Sequence, residues 1–141
     1  MRVYNRTVST EPRRKQKILL VDDDHDVTDA LRLVLSEEGY DVATASNGYE
    51  ALVYLKSHSP PPSLILLDVM MPIMDGYEFR IEQQRDPAIA RIPVVVVTAG
   101  AIGERVAEMG VTGLLRKPFD LERLLCELAR RTEIRPELTL S

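Results

Sequence analysis

The chain has 141 residues, of which 45% are hydrophobic, and this size suits one domain with a single core rather than two. Its net charge of −4 and its pI near 5.2 argue against broad, non-specific binding to nucleic acid. Cys126 is the single cysteine, which excludes an internal disulfide, and no run of 18 apolar residues predicts a membrane span, so we expect a cytoplasmic protein.

Residues 1–16 are predicted to form a disordered basic arm. The first 17 residues contain one acidic residue, Glu11, and six basic residues: Arg2, Arg6, Arg13, Arg14, Lys15 and Lys17. No helical or strand periodicity runs through them, which favours a solvated tail over contact with an acidic partner or a membrane surface.

Five short apolar runs then alternate with five helical patterns. The predicted strands are 18–21, 42–45, 64–67, 94–97 and 113–116. The helices are predicted from Asp26 to the stop signal Gly39, from Asn47 through Leu55, from about Asp75 to Arg85, from Ile102 to Met109, and along the stripe of Leu121, Leu124, Leu125 and Leu128. Such alternation predicts an α/β fold: a doubly wound, five-stranded parallel sheet in the flavodoxin-like order 2-1-3-4-5, with helices on both faces. The domain is predicted at 17–132, followed by a fraying tail at 133–141.

Four of these strands end on residues that can carry chemistry: Asp22 and Asp23 after the first, Asp68 after the third, Thr98 after the fourth and Lys117 after the fifth. Because the carboxyl ends of parallel strands share one crevice, we expect these side chains to converge. Carboxylates are hard ligands suited to Mg²⁺, and Met70 can add a backbone carbonyl. A metal, a lysine and a threonine hydroxyl would neutralise a phosphoryl group, which Asp68 can accept as an acyl phosphate.

Four motifs in this order carry a family resemblance: 21–24 (VDDD), 67–76 (LDVMMPIMDG), 97–99 (VTA) and 117–119 (KPF). Together they resemble the receiver (phosphoacceptor) domain of bacterial two-component response regulators, from about Gln16 to Arg131. The resemblance implies a Mg²⁺-dependent signalling domain, with Mn²⁺ as a possible substitute, that dephosphorylates itself. Its partner would be a histidine kinase or a histidine phosphotransfer protein, which passes a phosphoryl group to Asp68.

The same resemblance implies roles for the other residues. Asp22, Asp23 and the Met70 carbonyl would hold the metal with Asp68, Thr98 and Lys117 would contact the phosphoryl oxygens, and the Lys117–Pro118 bond would be cis. Asp24 is predicted to cap a helix rather than to bind the metal. His25 and His58 have no counterpart in the motifs, and we expect them to be solvated rather than to carry phosphoryl groups.

Two departures from the family pattern concern the output. Leu114 stands where receivers usually have an aromatic switch residue, and the interval from Thr98 to Lys117 is about three residues short, which predicts a truncated fourth helix. We expect Leu114 to stay buried in both states. The hypothesis is that the segment from Gly100 to Met109 becomes ordered when Thr98 engages the phosphoryl group.

The favoured interpretation is a stand-alone receiver, a monomer or weak dimer, that signals to an unknown protein target without contacting nucleic acid directly. One alternative is an interaction module of the same fold that works without phosphorylation; the intact acid set argues against it and Leu114 argues for it. Another is a metal-dependent phosphohydrolase, which would want a second acid shortly after Asp68, where position 70 is Met.

Overall fold

The computed structural model describes residues 16–99 and 104–132 of the chain. The strands are β1 (Lys17–Val21), β2 (Asp41–Ala45), β3 (Leu64–Asp68), β4 (Val94–Thr98) and β5 (Gly113–Arg116). The helices are α1 (His25–Glu37), α2 (Gly48–Ser57), α3 (Gly76–Arg85), α4 (Glu104–Ala107) and α5 (Leu121–Arg131). Nearly all of the predicted basic arm and the whole predicted tail lie outside the described residues, as do Gly100 and Gly103 of the predicted switch segment.

All strand pairs are parallel and the order is β2-β1-β3-β4-β5, which confirms the predicted fold class. The register brings the carboxyl ends of neighbouring strands level with one another. Val21 pairs with Leu67, Asp68 pairs with Val97, and Thr98 pairs with Arg116. The polar residues at these ends therefore lie along one edge of the sheet.

The core consists of two layers, one on each face of the sheet. Alternate residues of β1 show the division, because Leu19 and Val21 pack into one layer while Ile18 and Leu20 pack into the other. The first layer contains side chains of α2, α3 and α4, and the second contains side chains of α1 and α5. Strands buried on both faces explain why the apolar runs are continuous rather than alternating.

Helix α4 differs from its prediction, because it ends at Ala107 instead of Met109. The chain then turns through Gly110, whose φ of +65° suits a residue without a Cβ. Met109 nevertheless remains in the core. Among the described residues, no helix is both long and apolar enough to cross a membrane.

Asp24 is the N-cap of α1, as predicted, and its carboxylate accepts hydrogen bonds from the backbone N–H groups of Asp26 and Val27. We expect Asp24→Ala to lower the free energy of unfolding by about 1 kcal/mol, because two donors at the helix start lose their partner. Asp24→Asn is the matched control and should retain most of the stability, since Asn caps helices equally well. Equal urea midpoints for Asp24→Ala and the unmodified protein would contradict this role.

Candidate functional site

Three carboxylates meet at the carboxyl edge of the sheet. Asp22 and Asp23 follow β1 and Asp68 ends β3, and one oxygen from each lies within 4.8 Å of the others. Asp22 and Asp68 are buried, whereas Asp23 is exposed. Three hard oxygen donors this close together, one of them open to solvent, fit the ligand set that Mg²⁺ prefers.

Lys117 reaches this cluster from the end of β5. Its Nζ donates to Asp22 Oδ2 at 3.1 Å, and its backbone N–H donates to the Thr98 carbonyl at 2.7 Å. Burial by itself lowers the pKa of Lys117, but the hydrogen bond to Asp22 and the nearby carboxylates outweigh it and raise the pKa overall. The lysine therefore remains a cation, and the Lys117–Pro118 bond that follows it is cis.

The Asp68 carboxylate is in an unfavourable environment for its charge. Burial first, and the neighbouring charge of Asp22 second, raise its pKa from 3.8 to about 6. Lys117 and a hydrogen bond from the Met70 backbone N–H act in the opposite direction but do not compensate. A group in this position gains from any cation or hydrogen-bond donor that approaches it.

We expect the stability of the metal-free protein to fall as the pH rises from about 4 to about 6. Over this range the folded chain keeps a proton on Asp68 that the unfolded chain has released, so deprotonation favours unfolding. The loss should total about 2 to 3 kcal/mol, at 1.36 kcal/mol per pKa unit.

Urea denaturation in EDTA between pH 4 and pH 7 measures this loss, and Asp68→Asn is the reference because it cannot titrate. The stability difference between the two proteins should widen with pH. A difference that is the same at pH 4 and pH 7 would contradict the raised pKa of Asp68.

The loop after Asp68 is fixed at several points. The Gly76 N–H donates to the Val69 carbonyl at 2.8 Å, and the Gly48 N–H of α2 donates to the Met74 carbonyl at 2.8 Å. A Cβ on Gly76 would lie 2.7 Å from the Asp68 carbonyl oxygen, so only glycine allows α3 to start this close to the acid. The backbone that carries Asp68 is therefore held in place before any ligand arrives.

The other residues singled out in the sequence differ in their burial. Thr98 is buried at the end of β4, and the Met70 side chain is 72% exposed beside Asp68. Leu114, which we expected to be buried, is only partly buried and packs against the layer formed with α2, α3 and α4. His25 and His58 are both exposed, as predicted, and Cys126 is exposed on α5.

Sequence reasoning missed the buried pair Arg80 and Gln83 on α3. Together with Gly76 and Phe79 they occupy the buried face of that helix. The signal was helical spacing, because Arg80 follows Gly76 by four positions and precedes Gln83 by three, but two polar side chains predict exposure by composition. Each side-chain nitrogen and oxygen atom of the two has a hydrogen-bond partner.

The model of the response regulator receiver domain family matches residues 18–129. The response regulator MprA of Mycobacterium ulcerans (strain Agy99) is 42% identical over 124 residues, which are 84% of this chain and 52% of that protein. The CpxR homologue of Haemophilus influenzae, a transcriptional regulatory protein, is 41% identical over 115 residues, which are 79% of this chain and 48% of that protein. The chain thus spans about half the length of the curated relatives it matches.

Solved structures show the same architecture. The chemotaxis protein CheY4 of Vibrio cholerae has a TM-score of 0.77 and 32% identity, with 84% of this chain and 100% of that chain covered. The receiver domain of the sensor histidine kinase PA1611 from Pseudomonas aeruginosa has a TM-score of 0.76 and 28% identity, with 84% and 98% covered. That structure has a magnesium ion coordinated in its active site cleft.

Proposed function

Because this chain belongs to the response regulator receiver domain family, we propose that it accepts a phosphoryl group on Asp68 and signals by the resulting change in conformation. The observation that carries the proposal is the position of Asp68: it is buried at the end of β3, with carboxylate oxygens of Asp22 and Asp23 within 4.8 Å. As a receiver domain, the chain is a signalling domain rather than a classical enzyme.

In the proposed transfer, an Asp68 carboxylate oxygen attacks phosphorus as the bond from phosphorus to the donor's leaving group breaks. The donor would be the phosphohistidine of a histidine kinase or of a histidine phosphotransfer protein, and the leaving imidazole keeps the electron pair of that bond. Little acid or base chemistry is needed, so positioning and charge neutralisation dominate. Hydrolysis of the acyl phosphate would later restore the carboxylate.

Asp22, Asp23, Asp68 and the Met70 carbonyl would hold Mg²⁺, or Mn²⁺ in its place, and the bound ion would neutralise charge on the phosphoryl oxygens. Lys117 and Thr98 would donate to the other oxygens. Two observations support this role for Lys117: its ammonium lies 3.1 Å from Asp22, and the charge of Asp68 contributes to its raised pKa.

The physiological setting follows as part of the proposal. The protein would work in the cytoplasm, as a monomer or weak dimer, and would pass its signal to a protein target rather than directly to nucleic acid. Within residues 17–132, the domain would contain all the groups that the transfer needs.

Incubation with a small phosphodonor and Mg²⁺, followed by intact-mass measurement, tests the proposal. A single phosphoryl adduct that is stable for minutes supports it. No adduct would favour the phosphorylation-independent interaction module, the alternative that Leu114 supports. Rapid multiple turnover of the donor would favour a metal-dependent phosphohydrolase, which is disfavoured because position 70 is Met where that class would want a second acid.

A further inference from the structure

Arg80 of α3 is a buried cation outside the acidic site. Only 8% of it is exposed, and burial lowers its pKa from the usual value. No carboxylate among the described side chains lies within 4.0 Å of its guanidinium. Three neutral oxygens take its hydrogen bonds instead: Met109 O at 2.8 Å from Nε, Gly110 O at 2.7 Å from Nη2, and Gln83 Oε1 at 2.7 Å from Nη1.

Gln83 extends this network to a second connection. It is fully buried, and its Nε2 donates to the carbonyls of Ile89 at 2.9 Å and Ile92 at 3.1 Å. Thus α3 holds the segment that enters β4 through Gln83 and the segment that enters β5 through Arg80. Apolar side chains would fill the same space without the cost of burying a charge, so the network's specific contribution is to fix backbone positions.

Besides the buried Val106, two contacts of unequal strength join α4 and the turn after it to α3. At its C-terminal side, Met109 accepts a buried hydrogen bond from Arg80 and the adjacent Gly110 accepts a partly buried one. Nearer its start, Arg105 is exposed and its guanidinium stacks 3.9 Å from the centroid of the Tyr77 ring. A solvated cation–π contact is weaker than charge-assisted hydrogen bonds shielded from water. The Arg105 contact is therefore the weaker of the two.

We propose that Arg80 is a positioning residue that fixes the turn between α4 and β5 to α3. On this basis phosphorylation displaces the Arg105 side of α4 and leaves Met109 and Gly110 in place. The displacement rests on the proposed function. The attachment of the turn to α3 by Arg80, called the anchor below, does not. It places the phosphorylation-dependent surface at Tyr77 and Arg105, and it explains how a receiver with Leu114 can signal without rearranging β5.

The anchor is tested without phosphorylation by Arg80→Lys, because an ammonium cannot reproduce the three bonds of the planar guanidinium. Two amides report on the turn: Met109 N–H, bonded to Val106 O, and Thr112 N–H, bonded to Val94 O. Their hydrogen exchange should become about tenfold faster or more. Arg85→Lys is the matched control, since Arg85 lies on the same helix in an exposed pair with Glu82, and it should change neither rate.

Unchanged exchange at Met109 and Thr112 in Arg80→Lys would overturn the anchor. If that variant does not fold, the unmodified protein decides the question through the Nε–H resonance of Arg80. A hydrogen bond to Met109 O should make this proton exchange at least about tenfold more slowly than that of Arg105. Equal exchange of the two protons would also overturn the anchor.

The displacement is tested with Mg²⁺ and beryllium fluoride, a phosphoryl mimic. In the unmodified protein the Arg105 Nε–H signal should shift, while the Arg80 signal and the exchange at Met109 and Thr112 stay within about twofold. In Arg80→Lys, beryllium fluoride should also change the amide exchange at Met109, Thr112 and Leu114. A shifted or deprotected Arg80 Nε–H in the unmodified protein overturns the proposal.

Fluorine NMR distinguishes failure of this inference from failure of the proposed function. A bound fluoride signal with movement at Arg80 overturns the inference alone. Absence of bound fluoride, together with absence of any adduct from a phosphodonor, overturns the proposed function and the displacement with it, while the exchange rates of Arg80→Lys still decide the anchor.

Discussion

Asp68→Asn should reduce the phosphoryl adduct to below detection while the fold persists. The substitution is nearly isosteric, so the buried position at the end of β3 is preserved. The amide, however, lacks the nucleophilic carboxylate oxygen that forms the acyl phosphate. Intact mass after incubation with a small phosphodonor and Mg²⁺ measures the adduct, and circular dichroism checks the fold.

Asp26→Asn is the matched control for this experiment. Asp26 is an exposed acid in the first turn of α1, so the control makes the same chemical change close to the site without touching the proposed phosphoacceptor. The control should give a full adduct yield. An adduct that survives in Asp68→Asn, or one that maps to His25 or His58, would end the assignment of Asp68.

The sheet could be predicted from the sequence because its strands have a pattern that few other structures share. The 94–97 run is four β-branched valines, and the 64–67 run is four apolar residues between the prolines at 60–62 and Pro72. Each is too short for a helix and too apolar for an exposed strand, which leaves a strand covered on both faces. Strand order was less secure, because it depends on which crossovers pass over which face; the flavodoxin-like order was expected from the doubly wound pattern, and the structure confirms it.

The site residues were predictable for a related reason. Each follows directly from the end of a strand, so their convergence needs only the parallel topology and the register. Their pairing was not predictable. The balance that gives Lys117 a bond to Asp22, and gives Asp68 a raised pKa, depends on side-chain conformation and burial that no spacing rule contains.

Arg80 shows where sequence reasoning fails. An arginine in a helix is expected at the surface of the protein. The partners that permit the burial of Arg80 are backbone carbonyls 29 and 30 residues further along the chain. Backbone carbonyls exist at every residue, so the sequence contains no sign of which ones will be available. The truncated α4 was predicted from the short interval, but its attachment to α3 was not.

Removing one of the proposed metal ligands should have the second large effect, and Asp23→Ala is the variant to measure. Asp23 is exposed and no hydrogen bond or ion pair is described for its side chain, whereas Asp22 also bonds Lys117 and accepts the Asp24 N–H at 3.0 Å. We expect the Mg²⁺ affinity of Asp23→Ala to fall at least about tenfold, or ~1.4 kcal/mol, in calorimetric titration at constant ionic strength.

Metal-free stability should respond in the opposite direction, and this distinguishes loss of a ligand from general damage to the fold. Asp23 and Asp68 lie in one cluster of three carboxylates, so removing one charge relieves repulsion when no cation is bound. In EDTA, Asp23→Ala should therefore be at least as stable as the unmodified protein, whereas Asp22→Ala should be less stable because Lys117 loses its partner. Asp26→Ala controls for long-range charge and should retain affinity within about threefold. Unchanged Mg²⁺ affinity in both Asp22→Ala and Asp23→Ala would move the metal to another part of the protein.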